Sequence, residues 1–441
     1  MSHRTTAIAI ARAVLTTPVS RTQILERMVL CTRFSEDVNR RLVDGLLQVG
    51  LTSHWTIART ADAVQADATF LTACEQSRSR ALIRGWFMTR ATTLAPPTAP
   101  LRGVDRPMWP SVGKLADDLG VSVPGLWRLT RSVSWQRKAP LGLQHYRYEL
   151  LPKRTGGWRL LEVPEPHLRT LQRRVLDRLL AHVPPHEAAC AYVRGRSVAD
   201  HARAHVGQAV LLKFDLQDFF ATVRASRVHA SFSTLGYSQP VARALAALCT
   251  TATPEPVLER LRTDGGLSWP QAMRLRDAHL PQGAPTSAAL ANLCAFRLDT
   301  RIASLARSMG ARYTRYADDI VLSGDAALLR AADRVEARVG AFALDEGFEL
   351  NHRKTRRVTR ARRQQVCNIV VNERPNLPRD EFDRLKAQLH LCATRGAAAQ
   401  NRDGLPNWEQ HLRGRVSWAE QLNPDKARRL RRLLDAIDWT T

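Results

Sequence analysis

The stretch YTRYADDIVLSG, residues 313–324, places two adjacent aspartates, Asp318 and Asp319, inside an apolar run that otherwise favours a β-strand. Aspartate is a poor strand former and is rarely buried unless it is paired or bound to a cation. A hairpin turn is the simplest explanation, because aspartate tolerates turn geometry and a turn exposes both carboxylates. The same turn would also present the pair to a divalent metal ion. A metal site of this kind requires further carboxylates nearby.

A third aspartate stands at the end of another apolar run. The sequence AVLLKFDLQDFF, residues 209–220, predicts a buried strand that ends at Asp215. If both strands lie in one sheet, Asp215 can meet Asp318 and Asp319, and such neighbours repel unless a cation lies between them. Mg²⁺ prefers a few carboxylates plus substrate phosphates, and two such ions can clamp the reacting oxygens of phosphoryl transfer. Three unrelated surface carboxylates are the alternative.

The charge of the chain favours a polyanion as its binding partner. Its 441 residues include 66 Lys and Arg against 41 Asp and Glu, which gives a net charge of +25 and a pI near 11.0. Such an excess is typical of nucleic-acid binding, with a membrane surface as the weaker alternative. Arginine outnumbers lysine, which suits bidentate phosphate contacts, although genomic base composition produces the same bias.

The cysteines and the apolar runs indicate a cytoplasmic protein. The seven cysteines are odd in number, are scattered and form no Cys-x-x-Cys, which argues against a disulfide framework and a structural zinc site. No run approaches the eighteen or so apolar residues of a membrane span, and the opening AIAIARAVL lacks a signal-peptide cleavage site. We therefore expect buried thiols and no membrane partner.

The periodicity along the chain predicts an α+β protein with helical ends. Residues 1–90 are mostly helical in pattern, and the Thr/Ala/Pro-rich residues 92–107 are typical of a linker. Residues 111–131 have the spacing of two short helices around a glycine, as in a DNA-reading helix-turn-helix or in any pair of packed helices. A basic hairpin follows Tyr146, and amphipathic basic helices follow Pro378.

Four segments occur in the order of the palm motifs of reverse transcriptases. They are FDLQDFF (214–220), LPQGAPTSAALANL (280–293), YADD (316–319) and EGFELNHRKT (346–355). From about Ser111 onward the chain resembles the bacterial retron-type branch of that family. The resemblance implies a right-hand polymerase, with fingers and palm at 106–372 and a helical thumb at 373–441. Residues 1–105, a helical extension and linker, fall outside the resemblance.

The resemblance also implies a two-metal site. Asp215 and Asp318 match the two main metal ligands of the family, Asp319 completes the carboxylate set, and the backbone carbonyl of Leu216 adds a ligand. The expected cofactor is Mg²⁺, with Mn²⁺ as a substitute.

An incoming-nucleotide site follows from the same resemblance. Phe220 matches an aromatic ring that lies under the sugar in this family and excludes a ribose 2′-OH. The alternative is that Phe220 is a plain core residue. Its neighbour Phe219 should point the other way along the strand. Two basic residues that flank the hairpin turn would bind the triphosphate. The alternative is that they form a solvated basic surface. A glycine in the loop that lines the nascent base pair permits close approach, and a palm lysine lies near the leaving pyrophosphate. The predicted set is Lys153, Arg159, Phe220, Gln282, Gly283 and Lys354.

Two segments depart from the retron pattern. The branch usually has Asn-Ala-x-x-His before the first catalytic strand, whereas HARAH (201–205) carries His201 in place of the asparagine, and two histidines four apart on a helix could bind zinc. The Val-Thr-Gly triplet expected after the palm reads VCN (366–368). The residues predicted to contact RNA are His205, Arg353, Arg356 and Arg357.

The leading hypothesis is a retron-type RNA-directed DNA polymerase. It would use deoxynucleoside triphosphates to copy part of a structured non-coding RNA into single-stranded DNA, primed by an RNA 2′-OH so that the product is RNA-linked msDNA. The family also implies antiviral defence with an effector protein. The alternatives are another defence-associated reverse transcriptase without a retron RNA, and a non-catalytic RNA-binding scaffold. The three intact aspartates count against the scaffold.

Overall fold

The computed structural model describes residues 3–15, 20–52, 55–77, 82–85, 103–152 and 158–439. The chain forms two units, which are described separately. The first comprises Met1–Thr98, Met108–Val123 and Leu235–Val241, and the second comprises Ala99–Pro107, Pro124–Thr234 and Ala242–Thr441.

The first unit is helical, as the sequence predicts for the N-terminal region. Its helices are α1 (His3–Leu15), α2 (Arg21–Cys31), α3 (Glu36–Gln48), α4 (Ile57–Ala66), α5 (Ala68–Gln76) and α6 (Val112–Asp118). Polar caps begin several of them, because Ser35, Thr56 and Asp67 each accept a hydrogen bond from a backbone N–H of the first turn. Apolar side chains of α1–α5, among them Met28 and Phe70, form a separate core.

The second unit contains eight strands within the described residues. They are β1 (Tyr146–Pro152), β2 (Trp158–Pro164), β3 (Val210–Asp215), β4 (Arg312–Tyr316), β5 (Asp319–Gly324), β6 (Arg356–Thr359), β7 (Gln365–Val366) and β8 (Ile369–Val370).

The remaining helices follow one another along the rest of the chain. They are α7 (Val123–Leu129), α8 (Val133–Lys138), α9 (Pro166–Arg178), α10 (Val198–Arg203), α11 (Phe219–Thr222), α12 (Ala225–Thr234), α13 (Gln239–Cys249), α14 (Glu255–Gly265), α15 (Trp269–Arg276), α16 (Ser287–Cys294), α17 (Phe296–Ser308), α18 (Ala326–Arg330), α19 (Ala332–Asp345), α20 (Arg379–Arg395), α21 (Ala397–Gln400), α22 (Trp408–Leu422) and α23 (Pro424–Asp435).

The centre of the second unit is an antiparallel sheet of order β4-β5-β3-β6. Strand β3 ends at Asp215, as its apolar run predicts. Leu211 of β3 and Val321 of β5 belong to one hydrophobic core with residues of α20, α22 and α23, so the C-terminal helices share a core with this sheet. Packing against these helices thereby supports the strands that carry the candidate site.

Several other predictions from the sequence are confirmed. The α+β class, the two short helices α6 and α7, the basic hairpin β1–β2 and the C-terminal helices beyond Pro378 are all present. The six cysteines other than Cys367 are buried, and all seven are free thiols. Among the described residues, no helix combines the length and apolar character that crossing a membrane requires. The linker at 92–107 lies largely outside the described residues, and the division at 105 and 372 stays a prediction.

Candidate active site

The two adjacent aspartates lie at a tight hairpin. Tyr316 and Asp319 are the last paired residues of β4 and β5, so the connecting loop consists of Ala317 and Asp318. Ala317 has φ +55, a left-handed conformation that is uncommon for a residue other than glycine but that two-residue hairpin loops require. The predicted hairpin turn is therefore present, with Asp318 in the loop and Asp319 at the start of β5.

Asp215 lies at the same end of the sheet. It pairs with Asp319 in the register of β3 and β5. The next residue, Leu216, donates its backbone N–H to the carbonyl of Asp318 at 2.9 Å, and Asn351 donates its N–H to the carbonyl of Asp215 at 2.7 Å. The end of β3 is thus held from both sides, and the carboxylate of Asp215 lies at the same end of the sheet as those of Asp318 and Asp319, about a hundred residues further along the chain.

The electrostatics of this edge show that the carboxylates are close enough to repel. Burial raises the pKa of Asp318 to about 6, and the charges of Asp319 and Asp215 add to the shift. Burial and then Asp215 also raise the pKa of Asp319, against the charge of Lys213. A cation placed among these groups would relieve the repulsion.

The cation that Asp215 contacts in this structure is an ammonium group. Lys354 Nζ lies 2.8 Å from Asp215 Oδ2. Burial opposes protonation of Lys354, but its hydrogen bond to Asp215 and the three aspartate charges raise its pKa. Within the described ranges, no three His, Cys, Asp or Glu side chains already surround a metal position. The donors nevertheless fit one, because carboxylate oxygens that repel one another suit a hard divalent ion.

The two phenylalanines after Asp218 face different surroundings. Phe219 is 4% exposed and stacks on Phe348 with ring centroids 5.7 Å apart, whereas Phe220 is half-buried. The prediction that they alternate along a strand is wrong, because β3 ends at Asp215 and both belong to the short helix α11. Consecutive helical residues point about 100° apart, which separates the two rings equally well.

Arg274, which no sequence motif marks, holds the start of α11. Arg274 Nη1 donates to Asp218 Oδ2 at 2.9 Å, and its Nη2 contacts a carboxylate oxygen of Glu349. Asp218 has φ +49, and the N–H of Gln217 donates to the carbonyl of Glu349 at 2.8 Å. Arg274 is mostly buried, so it fixes the loop that leads from Asp215 to Phe220.

The loop of Gln282 and Gly283 contacts strand β2 of the β1–β2 hairpin. Gly283 has φ +137, and a Cβ there would lie 3.0 Å from the carbonyl oxygen of Glu162. The N–H of Glu162 donates to the carbonyl of Gln282 at 2.9 Å. The missing side chain therefore permits close approach to strand β2.

Next to that contact lies a buried pair of titratable side chains, Glu162 and His279, that the sequence did not reveal. Glu162 Oε2 is 2.9 Å from His279 Nε2, and Thr253 donates its hydroxyl to Glu162 Oε1 at 2.7 Å. Burial opposes protonation of His279, but the charge of Glu162 prevails and raises the pKa of the imidazole. Glu162 interrupts an otherwise apolar strand pattern, which is the one signal that the sequence offers.

The basic residues differ in their surroundings. Arg159 is exposed on β2, and Lys153 lies outside the described residues. Arg353 and Arg356 are exposed, and Arg356 donates to the carbonyl of Arg353 at 2.7 Å. Arg357 instead contacts Asp333 and Glu336 at 2.6 and 2.8 Å, so its charge is compensated.

The two histidines of HARAH are buried. The ring nitrogens of His205 lie 2.7 Å from the hydroxyls of Ser323 and Thr314, and His201 Nδ1 lies 2.6 Å from the same Thr314 hydroxyl. Burial lowers the pKa of His201 to about 4 and that of His205 to about 3. A direct contact between His205 and RNA would require the side chain to leave this environment.

The VCN departure forms a hairpin loop beside the aspartates. Cys367 (φ +45) and Asn368 (φ +63) connect β7 to β8, and two left-handed residues are what a type I′ turn requires. Asparagine suits this conformation nearly as well as the usual glycine. Cys367 Sγ donates to Asp319 Oδ2 at 3.6 Å, and burial followed by the charge of Asp319 raises the thiol pKa to about 12.

Comparisons with known proteins show which proteins this chain is similar to. Residues 151–385 match the family described as Reverse transcriptase (RNA-dependent DNA polymerase). The retron Mx65 reverse transcriptase of Myxococcus xanthus is 38% identical over 368 residues, covering 81% of this chain and 80% of that protein. The retron Mx162 reverse transcriptase of the same organism is 33% identical over 75% of this chain and 67% of that protein. The retron Ec86 reverse transcriptase of Escherichia coli is 28% identical over 62% of this chain and 74% of that protein.

Proposed function

The chain belongs to the reverse transcriptase (RNA-dependent DNA polymerase) family, and from that premise we propose that Asp215, Asp318 and Asp319 form its polymerase site. It is an RNA-directed DNA polymerase of the retron type. The observation that carries the proposal is the register that sets Asp215 opposite Asp319, with Asp318 in the adjoining loop. Three carboxylates that repel one another are brought to one sheet edge at a cost in free energy that a bound cation offsets.

Enzymes of this family use divalent metal ions, and we propose Mg²⁺ here, with Mn²⁺ as a substitute. The three aspartates and the carbonyl of Leu216 would hold the ions. When bound, they stabilise the attacking and leaving oxygens of phosphoryl transfer. Lys354, which contacts Asp215, would face the leaving pyrophosphate.

The remaining site residues define the substrate. The exposed Arg159 would bind the triphosphate, and Gln282 and Gly283 would line the new base pair. The half-buried ring of Phe220 would lie under the sugar and exclude a 2′-OH.

The template, we propose, is a structured non-coding RNA that is copied into RNA-linked single-stranded DNA. The net charge of +25 suits the binding of such an RNA. Arg353 and Arg356 are exposed candidates for contacts with the RNA backbone. Antiviral defence with an effector protein stays a prediction from the family resemblance.

Primer extension on an RNA template tests the metal site. We expect Asp318→Asn and Asp319→Asn to lower extension by at least about 100-fold, since losing a metal ligand removes several kcal/mol of transition-state stabilisation. RNA affinity, measured by fluorescence anisotropy, should stay within about twofold of wild type, because loss of a metal ligand acts on the transition state rather than on backbone contacts. Asp403→Asn, at an exposed position before α22, is the matched control. Near-normal turnover of either active-site variant would exclude this cluster as the metal site.

A further inference from the structure

Tyr192 combines exposure with backbone strain. Its side chain is 56% exposed, and its φ is +61. A bulky residue other than glycine rarely adopts this conformation, which costs of the order of 1–3 kcal/mol and persists only where the surroundings enforce it. Such strain clusters at ligand contacts. The role of Tyr192 therefore depends on the segment that enforces the strain and on the groups that the ring faces.

The segment before Tyr192 is fixed to the sheet that carries the aspartates. The N–H of Arg315 donates to the carbonyl of Ala188, and the N–H of Cys190 donates to the carbonyl of Arg315, both at 2.8 Å. Asn292 Nδ2 donates to the carbonyl of Ala191 at 2.9 Å. All of these residues are buried, so the chain that ends at Tyr192 extends alongside β4 and has no freedom to move away.

The same arginine and asparagine hold the catalytic turn. Arg315 Nη1 donates to the carbonyl of Ala317 at 2.9 Å and to Asn292 Oδ1 at 3.1 Å. One buried network therefore sets both the loop of Asp318 and the backbone from which Tyr192 projects. The position of the phenol relative to the carboxylates is built into the palm.

The ring faces the groups proposed to bind the nucleotide. Its centroid lies 6.3 Å from that of Phe220, at an interplanar angle of 54°. Burial raises the pKa of Tyr192, the charge of Asp318 raises it further, and the charge of Arg159 lowers it. The phenol thus lies within electrostatic range of a proposed metal ligand and of the proposed triphosphate contact.

We propose that Tyr192 contacts the incoming deoxynucleoside triphosphate. Its ring extends the wall that Phe220 forms under the sugar, and its hydroxyl hydrogen-bonds the nucleotide between the sugar and the triphosphate. A phenol can both donate to a phosphate oxygen and accept from a sugar hydroxyl. This role rests on the proposed polymerase site and adds to it a residue that no motif in the sequence singled out.

Single-turnover incorporation on an RNA template tests this role, because it separates the Kd for the nucleotide from the rate of the chemical step. We expect Tyr192→Phe to raise the nucleotide Kd about 2- to 12-fold, the worth of one hydrogen bond, with little change in rate. Tyr192→Leu should raise the Kd further and relax the preference for deoxynucleotides. Trp127→Leu, at another exposed aromatic, is the control and should change neither quantity.

The outcomes separate this inference from the polymerase assignment. If wild type extends primers and Asp318→Asn does not, but both Tyr192 variants keep the wild-type nucleotide Kd, the contact is refuted and the polymerase stands. A rise in the Kd for primer–template alone would place Tyr192 on the template strand and also refute it. If wild type incorporates no nucleotide, both proposals fall. Thermal unfolding of each variant shows that an altered Kd does not come from a loss of fold.

Discussion

The buried pair of Arg315 and Asp299 allows a quantitative test of how the turn of Ala317 and Asp318 is held. Both residues are 0% exposed, with Nη2–Oδ2 and Nε–Oδ1 distances of 2.7 and 2.8 Å. Burial opposes the charge on Arg315, but Asp299 prevails and raises the pKa of the guanidinium. The Tyr313 hydroxyl also donates to Asp299 Oδ1 at 2.5 Å. Three donors, the Nε and Nη2 of Arg315 and the hydroxyl of Tyr313, thus converge on the one carboxylate of Asp299.

Replacing Arg315 by methionine keeps much of the side-chain volume and removes the charge. Asp299 then remains buried, with the Tyr313 hydroxyl and no guanidinium, and breaking one side of a buried pair costs about 3–5 kcal/mol. The carbonyl of Ala317 also loses its donor, although this second effect is smaller, about 1–3 kcal/mol. We therefore expect Arg315→Met to lower the free energy of unfolding by at least about 3 kcal/mol.

Urea unfolding followed by circular dichroism measures this loss as a lower midpoint at unchanged slope. The double variant Arg315→Met/Asp299→Leu is the matched control, because an apolar pair leaves no uncompensated charge and should recover most of the loss. DNA synthesis at low temperature, where the single variant is folded, should still be reduced, since the turn of Asp318 has lost its anchor. A loss below about 1 kcal/mol, or strictly additive effects in the double variant, would refute the reasoning.

Three further predictions concern the sugar, the RNA and pH. Phe220→Ala should raise ribonucleotide incorporation about 10- to 200-fold in a competition assay, whereas Phe219→Ala should cost about 3–5 kcal/mol of stability and leave sugar choice unchanged. The logarithm of RNA affinity should fall with the logarithm of salt concentration by about 0.7 per neutralised phosphate. Arg353→Gln or Arg356→Gln should flatten that slope more than Arg357→Gln, whose guanidinium is already paired; equal effects would contradict this. Because the folded-state pKa values of His201 and His205 lie below 6.5, stability should fall as pH drops from 6.5 towards 4. His201→Asn should remove up to about 1.4 kcal/mol per pH unit of that fall in urea midpoints, and an unchanged pH profile would contradict it.

The sequence predicted the parts of the site that are local. The apolar run that ends at Asp215 and the β-rich run broken by Asp318 each specify a strand and its end, and four ordered motifs imply that the two strands are neighbours. Tertiary contacts over long separations could not be predicted in this way. Arg274 lies 56 residues from Asp218, and His279 lies 117 residues from Glu162. An arginine in a helix rich in arginines carries no sign of which carboxylate it will meet.

The burial of His201 and His205 also could not be predicted. A histidine four residues from another on a short helix is compatible with a metal site, an RNA contact or a core position. The ring nitrogens lie within hydrogen-bond distance of two hydroxyls, one from β4 and one from β5. Only the packing of α10 and the residues just after it against the sheet brings these groups together. The strand assignment of Phe219 and Phe220 is wrong because the turn between β3 and α11, in which Asp218 is left-handed, leaves no mark in the apolar pattern.

The two departures from the retron pattern meet at the YADD hairpin. His201 contacts the Thr314 hydroxyl on β4, and its ring lies tilted by 34° beside that of Tyr316, with centroids 5.7 Å apart. Cys367 donates to the carboxylate of Asp319, which begins β5. Each unusual residue thus touches one strand of the hairpin that carries the aspartates, and His201 does so from the interior. We therefore expect a substitution at either position to act first on where the carboxylates lie.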